Sequence, residues 1–334
     1  YANNCILFFH KLDYNNYQLS YISSIDRKIY FIMSKVKVAV IGIGYLGEFH
    51  AQKYKANKDA ELVAIVDTNR LRRDEISRQL GVKSYNNFES VLDKVDAVSI
   101  VVPTNLHYKT ASYFIKKNKH VLIEKPFAST VSEAKKLKKL ASKRNIVLQI
   151  GHLERFNKAF MKLKNEVKNP IFIECNRISP FKIRGTEVNV IMDLMIHDLD
   201  IVMSLNNSNI KNIQASGASV LTNKTDIANV RITFENGCVC NLSASRISEK
   251  IERKMRVFQK NSYFSLDYQD CNLDSYKKVI SGKINKIEKN KNNFLNNDPL
   301  NEEIKSFIEC TKKNKRPVVD AVDGIKALQY AIKI

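Results

Sequence analysis

The sequence predicts an α/β Rossmann domain, a doubly wound parallel sheet over residues 33–151. An α+β domain with a large, mainly antiparallel, open-faced sheet is expected over 152–334. Three observations predict this. A buried strand runs into Gly42-x-Gly44-x-x-Gly47 and then into a helix. Apolar runs of strand length alternate with helical ones as far as Gly151. Beyond it, long β-rich runs joined by short turns take over.

The elements follow in order. Residues 1–32 begin with Tyr and contain the apolar "CILFFH", without the basic flank or cleavage site of a signal peptide. They read as a non-native or disordered leader ahead of Met33. In "KVKVAVIGIGYLGEFHAQKY" (35–54) Gly42 permits a tight turn, Gly44 lets backbone approach a pyrophosphate, and Gly47 lets helix and strand pack closely. Tyr45 and Leu46 fill the variable slots. The helix start offers unpaired N–H groups to phosphates. The strand "ELVAIVDTN" (61–69) ends at Asp67, twenty residues past Gly47. An acid there hydrogen-bonds ribose hydroxyls and repels a 2′-phosphate, so the expected cofactor is NAD. Arg70, Arg72 and Arg73 leave room for NADP. Further βα units occupy 96–118, 119–130 and 145–152. Ligands bind at the carboxyl ends of such strands, where Pro103, Thr104 and Asn105 fall, and then Glu124, Lys125 and Pro126.

In the second half, 154–167 reads as a helix. So does "VIMDLMIHDLDIVMSL" (190–205), an apolar helix carrying Asp193, His197 and Asp200 at i, i+4 and i+7 on one face. Either the three satisfy one another or a ligand needs them. Strand runs follow, with a hairpin at "ENG" (235–237). The Lys/Asn-rich 281–297 reads as an exposed loop, and two helices close the chain.

Composition excludes some functions. Lys and Arg number 55 against 34 Asp and Glu, a net charge of +21. The excess is mostly Lys spread along the chain with no nucleic-acid motif. Its densest run, "AKKLKKLASKRN" (134–145), has Ala134, Leu137, Leu140 and Ala141 as an apolar stripe, so the lysines form a solvated helix face. No apolar run approaches the ~18 residues of a membrane span. The six Cys form no CxxC pair, and Cys238 and Cys240 share one face of a strand. Reduced thiols in the cytoplasm are the expectation. Asp and His at i, i+4 can hold zinc, but no further His/Cys ligand set accompanies them, so no metal is expected.

These residues resemble the glucose–fructose oxidoreductase/inositol dehydrogenase family, also called Gfo/Idh/MocA, over 35–334. The resemblance rests on the glycine fingerprint, Glu124-Lys125-Pro126, Asp193-x-x-x-His197 and the closing helices. "GHLERFN" (151–157) and "RISPFKIRGTEVNVIMDLMIHDLDIVMSL" (177–205) resemble the UDP-N-acetylglucosamine 3-dehydrogenase branch, except that Lys158 replaces its usual Pro. The family implies NAD(P)-dependent chemistry at a sugar or polyol carbon. The branch implies oxidation of the nucleotide sugar's 3-hydroxyl, for amino-sugar, lipid A or other envelope glycan synthesis, with a pathway aminotransferase as a partner.

The resemblance makes Lys125, Asp193 and His197 the catalytic group. His197 is suited to take the hydroxyl proton. Lys125 is suited to stabilise an alkoxide, or to act as the base if desolvated. Both assignments stay open. Asp193 would orient the substrate or hold the imidazole, Asp200 would fix its tautomer, and Pro126 would aim Lys125, by a cis bond if needed. Arg155, Arg177, Lys182 and Arg184 are the diphosphate candidates, and Asn157 a sugar contact, each against a surface-charge or helix-cap reading. His107 resembles a family position near the nicotinamide, although a helix-start role explains it equally. His50 and His152 read as packing or pocket lining. The rival readings are an inositol or free-sugar dehydrogenase, and a non-catalytic cofactor-binding regulator. A homo-oligomer is expected, through the open sheet face.

Overall fold

The computed structural model describes residues 34–182, 186–281 and 284–334. The expected leader and Arg184 lie outside them.

Six parallel strands form the first sheet: β1 (Val36–Ile41), β2 (Ala60–Val66), β3 (Lys83–Tyr85), β4 (Ala97–Ile100), β5 (His120–Glu124) and β6 (Leu148–Gly151). Their order is β3-β2-β1-β4-β5-β6. Strand order reverses between β1 and β4, which opens a crevice at their carboxyl ends. The intervening helices are α1 (Tyr45–Ala56), α2 (Arg70–Leu80), α3 (Thr104–Lys116) and α4 (Val131–Arg144). In α4 Ala134, Leu137 and Ala141 are buried while Lys135, Lys136, Lys138 and Lys139 are exposed, the amphipathic division expected of the lysine run.

The second sheet has eight strands: β7 (Pro170–Ile178), β8 (Ile210–Ala218), β9 (Ile227–Phe234), β10 (Val239–Ser245), β11 (Glu252–Gln259), β12 (Ser262–Asp267), β13 (Asn272–Ser281) and β14 (Ile284–Asn293). Their order is β14-β13-β12-β11-β7-β10-β9-β8, antiparallel except where β7 meets β10. Alternate residues such as Ile173, Cys175, Met255 and Val257 are buried, under α5 (Lys158–Glu166) and α6 (Ile196–Leu205). The other face carries a row of aromatic rings, Phe172, Phe258, Tyr263 and Tyr276, beside an Arg256–Glu174 ion pair.

Two features differ from expectation. Most of 281–297 is not a loop, because β14 pairs along its whole length with β13. An edge strand needs backbone pairing on one side only, so polar Lys and Asn side chains suit it and no apolar alternation marks it. The boundary at 151/152 omits a return of the chain. Helix α7 (Pro299–Lys313) packs Ile304, Phe307 and Ile308 into the same core as Val36, Val38 and Val40 of β1. Helix α8 (Ala321–Lys333) lies against both α4 and α6.

Candidate active site

The glycine loop sits at the carboxyl end of β1, before α1. Gly42 has φ 91°, and a Cβ there would come within 2.6 Å of Val101 O. A Cβ on Gly47 would strike Gly42 O at 1.9 Å. Above Gly44 there is open space, and no side chain caps the N–H groups that begin α1. Backbone, an uncapped helix start and clearance together fit a dinucleotide pyrophosphate. Tyr45 is exposed, Leu46 half-buried, and Tyr45 meets Phe49 edge-on. Asp67, at the end of β2, accepts from Ile43 N–H at 2.7 Å and Asn69 N–H at 2.8 Å, so its carboxylate borders the loop. Arg72 is held by Glu48 and Glu75, and Arg73 donates to Asp67 O. Pro103, Thr104 and Asn105 form the start of α3 at the end of β4, on the same side.

Lys125 follows β5, and the Lys125–Pro126 peptide is cis. Its Nζ donates to Asp193 O at 2.7 Å and Asp193 Oδ1 at 3.3 Å. Asp193 lies in a π-helical turn, Ile191–Met195, in which Ile196 N–H reaches back to Ile191 O. Such turns add a residue to the helical repeat and re-aim side chains, often at functional sites. The expected stripe is therefore divided. Asp193 goes to Lys125, and Asp200 goes to Arg155. His197 has its Nδ1 buried without a hydrogen-bond partner. The three do not satisfy each other, and Asp200 does not fix the His197 tautomer. Burial, then the charges of Lys125 and Arg177, hold the His197 pKa well below the ordinary histidine value, so its imidazole is neutral at neutral pH.

The substrate candidates change role. Arg155 is buried, bonded through Nε and Nη2 to Asp200 at 2.6 and 2.9 Å. Arg177 is buried between Asp198 and Glu154, with bonds of 2.9–3.0 Å. Both guanidiniums are bonded to internal carboxylates. Asn157 is 1% exposed, caps α5 by accepting from Ala159 and Phe160 N–H, and donates to Tyr268 O. Its helix-cap reading is the one the structure carries. Lys158 N–H donates to Asn297 Oδ1, a bond that Pro would forgo. Lys182 is exposed.

Two cofactor candidates also turn inward. His107 is buried between Pro126 O at 2.9 Å and Val102 O at 2.8 Å, bracing two turns against each other. Glu124 is buried against Gly151, accepts Lys125 N–H at 3.2 Å and bonds His50 Nε2 at 3.0 Å. His50 Nδ1 meets Ser99 Oγ at 2.8 Å. Glu303 of α7 completes this cluster. The ligand atoms of His50, Glu124 and Glu303 all lie within 4.8 Å of one another, and neither Glu303 oxygen has a hydrogen-bond donor. Burial, then the Glu124 charge, raises the Glu303 pKa well above the usual carboxyl range. From the sequence, His152 read only as packing or pocket lining. It is 1% exposed, its ring is 6.3 Å from that of His197, and both its nitrogens are unpartnered. Its place beside Arg155 in "GHLERFN" was the available signal.

Comparison with known proteins gives this geometry its family. Residues 36–152 match the oxidoreductase family, NAD-binding Rossmann fold, and 177–262 match the GFO/IDH/MocA C-terminal domain. UDP-N-acetylglucosamine 3-dehydrogenase of Acidithiobacillus ferrooxidans is 35% identical, over 90% of this chain and 97% of its own. Its solved structure superposes with a TM-score of 0.85. Myo-inositol 2-dehydrogenase of Thermotoga maritima is 27% identical over 89% of this chain and 95% of its own. A scyllo-inositol dehydrogenase from Lactobacillus casei, solved with NAD(H) and scyllo-inositol, shares the fold at 18% identity and TM-score 0.76, covering 90% of this chain and 96% of that one. With the glycine loop open for NAD and both domains matched, this chain belongs to the Gfo/Idh/MocA family of NAD-dependent oxidoreductases.

Proposed function

We propose that this enzyme oxidises the 3-hydroxyl of UDP-N-acetylglucosamine to the 3-keto sugar. The observation that carries the reading is the Lys125–Asp193 hydrogen bond at the carboxyl end of β5, with the Lys125 charge felt by the buried His197 imidazole. The 35% identity to a UDP-N-acetylglucosamine 3-dehydrogenase supports this choice of sugar. When bound, NAD supplies the hydride acceptor. Asp193 orients the Lys125 ammonium, which stabilises the developing alkoxide. His197, neutral at working pH, accepts the hydroxyl proton. An aminotransferase acting on the keto sugar is the natural next step, in the cytoplasm. The aromatic row on the uncovered sheet face supports a homo-oligomer.

An inositol or free-sugar substrate is the second reading. It is favoured by the internal pairing of Arg155 and Arg177, which removes them as diphosphate contacts. The test is incubation with NAD and UDP-N-acetylglucosamine, then with a polyol panel, following reduced cofactor and product mass with a keto trap. Turnover of the nucleotide sugar to a product lighter by H2 is expected. Lys125→Ala or His197→Ala should lower kcat by ~10²–10⁴-fold while NAD still binds. Turnover of polyols alone would select the second reading. NAD binding without turnover of either would leave a regulator.

A further inference from the structure

With Arg155 and Arg177 committed internally, the diphosphate needs another cation. We infer that Arg253 is the residue that binds the substrate's diphosphate; this rests on the nucleotide-sugar reading above.

Ser179 N–H donates to Ser245 O, Ser248 N–H to Ser179 O, and Arg246 N–H to Asp226 O. These bonds gather the last residues of β7 and β10 and the approaches to β9 and β11 at one end. Val190 N–H donates to Thr225 O, which brings the segment leading to Asp193 to that same end. Arg253 is the second residue of β11 and pairs directly with Arg177 of β7. Side chains alternate along a strand, so Arg253 shares the face of Met255 and Val257, the face that the helices cover. Those two are buried, whereas Arg253, nearer the rim, is exposed. Its cross-strand neighbour Arg177 bonds Asp198, the residue after His197.

The surrounding arginines make the contrast. Arg155 has Asp200 and Asp323, Arg177 has Glu154 and Asp198, and Arg246 has Asp226. Among the described residues the Arg253 guanidinium has neither an ion pair nor a side-chain hydrogen bond. Like charges directly opposite one another on paired strands cost stability. The Asp198 carboxylate feels the Arg253 charge, but no acid lies within ion-pair distance of the Arg253 guanidinium among the described residues, so its hydrogen-bonding edge is open to an outside anion. A planar guanidinium matches phosphate oxygens two at a time. The Arg253 charge also reaches the His197 imidazole, after burial and the charges of Lys125, Arg177 and His152. Phe181 and Lys182 leave the end of β7 close by, both exposed.

The test compares wild type with Arg253→Ala and Arg253→Lys in the full chain, using UDP-N-acetylglucosamine kinetics, UDP inhibition and NAD binding. Loss of a charge-assisted phosphate contact should raise KM and the UDP inhibition constant by ~10–100-fold in Arg253→Ala, with kcat and NAD affinity held within about twofold. Arg253→Lys should recover part of the loss. Unchanged KM and UDP inhibition in an active Arg253→Ala would overturn the inference and leave the substrate reading standing. A fall in kcat at unchanged KM would overturn it too, since Arg253 would then act through His197. A wild-type enzyme that neither turns over the nucleotide sugar nor binds UDP would sink both.

Discussion

The two halves of this enzyme handle charge differently. Around the glycine loop the ligand is met by backbone: N–H groups at a helix start, with space guaranteed by missing Cβ atoms at Gly42, Gly44 and Gly47. In the second half charge is met by side chains, each engaged with another far along the chain. Arg155 reaches Asp200, Arg177 reaches both Glu154 and Asp198, and Asp193 receives Lys125 from the first half. A backbone site depends on consecutive residues and tolerates no added atoms. A side-chain site depends on partners and tolerates no lost ones.

The comparison can be broken most severely at Arg177. Arg177→Ala leaves Asp198 and Glu154 buried without their cation, and should cost ~3–5 kcal/mol in urea unfolding. Arg177→Met should be equally damaging, because the acids remain. If the alanine variant unfolds like wild type, the buried network is not what holds the second half. Gly47→Ala tests the other half. Its Cβ, 1.9 Å from Gly42 O, forces the loop to move and should weaken NAD binding by ~100-fold in calorimetry, with the second domain intact. Near-normal NAD affinity would contradict a backbone-built site.

The smallest effect sharpens the comparison at the junction of the halves. Glu303 has a folded pKa raised above its unfolded value, so the folded state binds the extra proton. Its contribution is fully present below the unfolded carboxyl pKa of ~4.3 and is lost as pH rises towards the folded value. The slope is at most about 1.4 kcal/mol per pH unit. Glu303→Gln, a permanent neutral isostere, should gain stability relative to wild type as pH rises above the unfolded carboxyl pKa of ~4.3. Parallel pH–stability curves would mean that Glu303 is ionised in the fold.

The contrast also explains what could be read in advance. The parallel sheet, Asp67 at the end of β2 and the hairpin at Gly237 were legible because each follows from local spacing or turn chemistry. β14 was not, since an exposed edge strand carries no burial pattern. At the candidate site the sequence picked out Lys125 and Asp193, which the structure joins by a hydrogen bond. It was misleading at Arg155, Arg177 and Asn157, whose residue types suit a ligand and an internal partner equally well. Nothing in "GHLERFN" distinguishes an arginine facing phosphate from one facing Asp200, 45 residues on.

Sequence alone determined the family, the two architectures and the NAD-binding loop, because hydrophobic period and glycine geometry act over a few consecutive residues. Only the tertiary structure decided which charges are free. It paired Arg155 and Arg177 internally, split the acidic stripe by a π-helical turn, and left Arg253 at the rim. Whether a charge is available depends on burial and on partners from distant parts of the chain, and those exist only once the chain has closed on itself.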